Sequence, residues 1–145
     1  MTKRLLISVL AIILTFSILP TLSTKAEATE INTNYNREAA LAYASKHWND
    51  GKGLCAEFVA DCLRAGGVTE FYQTRVKTLY DAILAHNYGE LHKLKIYDDS
   101  ILKSQNEGKL EAGDLIFYYC NVCGEFTHVS ICNGYNADGF AIEYS

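Results

Sequence analysis

The chain has 145 residues, with 13 basic and 17 acidic side chains and a formal net charge of −4. That length suits one compact domain, and an acidic balance argues against nucleic acid or an anionic lipid surface as partner. Five cysteines, an odd number, leave at least one thiol free in a monomer.

The chain opens on an export signal. Lys3 and Arg4 form a basic start, and an apolar run of 15 residues from Leu5 to Leu19 follows. Ala26-Glu27-Ala28 has the small-x-small form of a cleavage site, so the cut is expected after Ala28. The run falls short of the ~20 residues that a membrane span requires, and no later stretch is a candidate. The domain is then residues 29–145, 117 residues with ten basic and sixteen acidic side chains, a charge of −6. The expected location is secreted or cell-wall associated, and a monomer is expected.

Asn34 or Asn36 can cap a first helix running to about Trp48, with Ala39, Ala40, Tyr43 and Ala44 at helical spacing. A second helix is predicted from Cys55. Phe58, Val59 and Cys62 lie three, four and seven residues further on, so they share its face, and Gly66-Gly67 stops it. A third is predicted from about Arg75 to His86 on Val76, Leu79, Tyr80, Ile83 and Leu84. Residues 90–111 are weakly patterned, with a strand expected near Leu94–Tyr97 and a short helix near Ser100–Lys103. From Gly113 the texture becomes that of a meander. A strand is predicted over Leu115–Tyr119, a turn over Cys120–Phe126, a strand from His128 to Tyr135, and a last strand from Phe140. Asn136-Ala-Asp-Gly139 is the hairpin turn between the last two. Helices followed by an antiparallel sheet make an α+β domain.

Two residues carry the chemistry. Cys55 opens a helix, where the positive end of the macrodipole favours thiolate, the nucleophilic form. His128, at the start of a strand, is the best placed of four histidines to act as its base. His47, His86 and His92 have solvent-type neighbours and read as surface residues. Cys62, in mid-helix, reads as a small core residue. Cys55 and Cys62 cannot bridge within one helix, because seven residues separate their Cα atoms by ~10.5 Å, beyond the ~7 Å limit.

The stretches YNREAALAYASKHW, CAEFVADCLRAGG, EAGDLIFY and THVSICNGYNADGF together resemble bacterial amidase and CHAP-type papain-like hydrolases, and more distantly the NlpC-type cell-wall peptidases. The resemblance covers roughly Tyr35 to Ser145. It implies a papain-like fold, a Cys55 nucleophile, a His128 base, no cofactor or metal, and amide bonds of peptidoglycan or peptides as substrate. In that chemistry the thiolate attacks the amide carbonyl and backbone amides at the helix start receive the oxyanion. His128 protonates the leaving amine, and water then hydrolyses the thioester. Relatives carry Asp before the cysteine and Asn two after it, where this chain has Leu54 and Glu57. The orienting residue for the imidazole should fall at or just past Ser145; either Glu143, the best polar candidate before it, fills that role, or the third member is absent and the domain is truncated at its C-terminal end.

Cys120-Asn-Val-Cys123 is foreign to that pattern. A local disulfide bracing the turn is favoured over half a zinc site completed by His128 and Cys132, and over a redox site, since the motif opens no helix. Alternation puts His128, Ser130 and Cys132 on one strand face. If that face meets the Cys55 helix, Cys62 and Cys132 should touch in the core. Two rival readings of function remain, a catalytically impaired cell-wall binding or interaction module and a cysteine transferase.

Overall fold

The computed structural model describes residues 34–51, 53–98 and 100–145. The expected leader and cleavage site lie outside them. Among the described residues no helix is long and apolar enough to cross a membrane. Three helices come first, α1 (Arg37–His47), α2 (Cys55–Ala65) and α3 (Val76–Ala85). A three-stranded antiparallel meander follows, β1 (Leu115–Cys120), β2 (Glu125–Tyr135) and β3 (Ala141–Tyr144), with β2 in the middle. The α+β order read from the sequence holds.

α1 starts where Asn36 turns its side-chain oxygen onto the Ala39 amide at 3.0 Å, satisfying one of the donors a helix start leaves open. α2 ends at Gly66, whose carbonyl accepts from the Asn36 amide at 2.8 Å. That approach is so close that a Cβ on Gly66 would meet the Tyr35 ring at 2.7 Å. The first two helices are therefore joined end to start.

Alternation along β2 builds two cores. Val129 and Ile131 are fully buried among Ala40 and Ala44 of α1, Val59, Cys62 and Leu63 of α2, and Leu79 of α3. Their neighbours point the other way. Cys132 packs with Ile116, Ile101 and Leu110 in a second cluster, under a strap formed by residues 94–98 and 100–110. The three helices thus cover one face of the sheet and the strap covers the other.

The strap is the part that sequence pattern described least well. In place of a strand over 94–97 there is a single bridge between Tyr97 and Ser100. The short helix is one 3₁₀ turn, Lys103–Gln105, later than expected. The segment is held instead by buried Asn106, which bonds the Lys95 amide at 2.7 Å and the carbonyls of Lys95 at 2.8 Å and Leu102 at 3.0 Å. β2 also begins three residues before His128, and a register shift at Tyr118/Tyr119 leaves Thr127 as the extra residue of a bulge. The bulge lets Phe126 pack beside Tyr80 and Phe117, with centroids 4.3 and 5.9 Å away.

A clasp closes the domain. The Tyr35 hydroxyl donates to the Gly113 carbonyl at 2.9 Å, and Arg37 bonds the Ala112 carbonyl at 3.1 Å and the Asp114 carboxylate at 2.6 Å. Gly113 has φ +89°, and a Cβ there would lie 2.7 Å from the Arg37 Cβ. Gly113→Ala is therefore expected to destabilise the domain by about 1–3 kcal/mol through backbone strain and a displaced Arg37. Urea unfolding measures it, and a loss below a few tenths of a kcal/mol would mean that the clasp yields freely.

Candidate functional site

Cys55 is the first residue of α2, as predicted, and its thiol is free and half-buried against the helix-face core. Its N-cap, Leu54, supplies no side-chain hydrogen bond. Cys62 is fully buried one turn from the helix end, and burial, then the nearby Asp61 charge, pushes its thiol up to about 12.

His128 pairs across the strands with Tyr118, and their rings sit 5.6 Å apart. It shares its face with Ser130 and Cys132, because Val129 and Ile131 take the face toward the helices. Cys55 belongs to the helix layer and His128 to the strap side. Among the described residues no hydrogen bond joins the two. The same parity corrects the expected contact of Cys62 with Cys132. Both are buried, but in different clusters on opposite faces. The physical reason is that two β-branched residues outcompete a histidine, a serine and a thiol for the apolar helix layer.

Glu143 does lie on the His128 side. It is paired with Cys132, and its carboxylate accepts the Tyr118 hydroxyl at 2.6 and 2.8 Å and the Ser130 hydroxyl in a short bond. Its partners are thus Tyr118 and Ser130 rather than the imidazole. Burial, then the hydrogen bond to Glu143, raises the Tyr118 phenol above its ordinary value, so it stays a donor. The sheet therefore assembles His128, Tyr118, Ser130 and Glu143 on one face and leaves the expected nucleophile on the other.

Sequence reading missed a second polar locus. A cleft of about 370 Å3 opens along α1 and α2, lined by Tyr43, His47, Asp50, Gly53, Glu57, Phe58 and Asp61. His47, taken for a surface residue, stacks on Tyr43 at 4.3 Å and pairs through Nδ1 with the Asp50 carboxylate at 2.7 Å. Asp61 is held by Arg64 and by the Tyr43 hydroxyl at 3.4 Å. The available signal was spacing, since Tyr43 and His47 are four residues apart and His47 and Asp50 three. Among the described residues no cluster of three or more His, Cys, Asp or Glu has the geometry to hold a metal.

No family model, curated protein or solved structure matches this chain.

Proposed function

We propose that this chain is an exported binding or interaction module on a papain-like cysteine-hydrolase scaffold, with its catalytic pair unassembled. The observation that carries this reading is the parity of β2, which sends His128 away from the helix layer that holds Cys55. A histidine that faces away from that layer is poorly set to take the proton of that thiol, which favours binding over turnover. The cleft beside α1 is the locus proposed for contact with a wall polymer or peptide. It offers an aromatic wall, a His–Asp pair and carboxylates, a set suited to hydroxyl, amide and amine groups.

A second reading keeps the hydrolase. It is favoured by one observation, a free, half-buried thiol at the first position of an amphipathic helix. In that reading peptidoglycan or peptide amide bonds are cut through a Cys55 thioester once the substrate draws His128 and Cys55 together.

The two readings separate cleanly in one experiment. Purified protein is mixed with peptidoglycan, and both sedimentation with the polymer and release of soluble muropeptides are followed. Binding without release, unchanged in Cys55→Ala and His128→Ala, is the expected result. Release that disappears in each of those variants would overturn the module reading and establish the hydrolase.

A further inference from the structure

We propose that the Cys120–Cys123 disulfide at the tip of the β1–β2 hairpin is a thiol-exchange site that accepts two electrons from a dithiol. The bridge exists and spans only three positions. Closing so short a loop removes little freedom from the unfolded chain, and stabilisation by a disulfide grows with the length of loop it closes. The turn is also closed without it. The Gly124 amide donates to the Cys120 carbonyl at 2.8 Å, and Cys120 pairs with Glu125 in the ladder. As a brace the bridge duplicates what the backbone already does.

Its placement suits chemistry instead. Asn121, Val122, Cys123 and Gly124 are all exposed, Val122 at 98%, so an incoming thiolate meets no cover. Cys120 is the half-buried partner. The two sulfurs are also unequal electronically. The Cys123 amide donates to the Cys120 sulfur at 3.0 Å, a bond that strengthens as negative charge gathers there. Cys120 is thus the better leaving group and Cys123 the accessible target. Cys62 and Cys132 are buried elsewhere and cannot intercept the reaction.

One thiolate of the dithiol attacks the Cys123 sulfur, the Cys120–Cys123 bond breaks, and its electron pair leaves on Cys120 under the Cys123 amide. The second thiolate of the dithiol attacks its own sulfur in the mixed disulfide and releases Cys123 as thiolate. The dithiol is oxidised to a disulfide, the protein bridge is reduced to two thiols, and the two protons given up by the dithiol end on Cys120 and Cys123.

The test uses the full chain and dithiothreitol as the dithiol. Samples are quenched in acid, alkylated and mapped by mass spectrometry, beside a disulfide-closed synthetic peptide of residues 118–127. Cys120 and Cys123 should be labelled together, at a rate within about threefold of the peptide, because access and not unfolding limits exchange. The near-UV circular dichroism should persist. A native bridge reduced about a hundredfold more slowly than the peptide, or only as the fold is lost, would overturn the proposal. With a monothiol, glutathione, the trapped adduct should sit on Cys123, and an adduct on Cys120 would overturn the assigned direction. Finally, the Cys120→Ser/Cys123→Ser double variant should fold and melt no more than about 10 °C below the parent, the shift expected for so short a loop. A much larger loss, or failure to fold, would make the bridge a brace and sink the idea.

Discussion

Raising the pH from 9 to 12 is expected to cost the folded domain about 3 kcal/mol through Cys62 alone, at up to about 1.4 kcal/mol for each pH unit. The thiol sits on the inner face of α2 with no exposed surface, and burial first, then the charge of Asp61, raises it from 9.0 to about 12. Between those values the unfolded chain has lost the proton and the folded chain keeps it. Stability is therefore fully present below pH 9 and falls as pH rises through the folded value. Tyr35 and Tyr118, both raised chiefly by burial, add to the decline above their ordinary value of 10.0. Urea unfolding of the parent and of Cys62→Ala across pH 7 to 11 isolates the cysteine. At neutral pH the variant should be weaker by about 1 kcal/mol, the ordinary cost of truncating a small buried group. Near pH 11 it should be the stronger of the two. A constant difference between them across that range would show that the thiol ionises without consequence.

Asn106→Leu should be the most damaging single substitution on the strap side, at about 3–5 kcal/mol. The replacement is similar in size, so no cavity explains the loss. What disappears is a set of three hydrogen bonds from a side chain with no exposed surface, which leaves the Lys95 amide and the Lys95 and Leu102 carbonyls without that partner. The Leu102 carbonyl keeps the Gln105 amide at 3.1 Å, while each of the two Lys95 groups costs about 1–3 kcal/mol where water cannot replace the bond. The strap should then lift from Ile116 and Cys132, so Cys132 should become open to alkylation while Cys62 stays protected. Denaturation and thiol labelling read the two effects separately. A leucine variant within about 0.5 kcal/mol of the parent, the range of an ordinary surface substitution, would refute the view that one side chain holds the strap.

What sequence pattern revealed was whatever is periodic or punctuated. The Cys55 helix was legible because its apolar positions recur at three and four residues and two glycines follow, and its observed start and end agree. The meander was legible through β formers broken by Asn136-Ala-Asp-Gly139. The strap was not, because its order comes from tertiary bonds to one asparagine, which leave no period in the sequence. The site turned on a single binary choice. Period-two alternation shows that His128, Ser130 and Cys132 share a face, and says nothing about which cover that face receives. The apolar weight of Val129 and Ile131 decided it. Glu143 was expected to orient His128, and the partners it has, Tyr118 and Ser130, follow from the register of three strands.

The clasp between Tyr35, Arg37 and residues 112–114 sets the order in which the chain can close on itself. Helix α1 meets α2, and each strand meets the next, as consecutive elements of the chain. The clasp joins positions 75 to 78 residues apart. Local pieces form quickly and distant closures come late, because the entropy of bringing remote segments together must be met before their contacts reward it. During synthesis from the amino end, the helices emerge with their apolar sides open. They stay open until Val129 and Ile131 arrive, the residues through which the sheet enters their core. The chain must therefore be out as far as Ile131 before the helix layer is finished, and until then the exposed helix faces are the part of the nascent chain most in need of a chaperone.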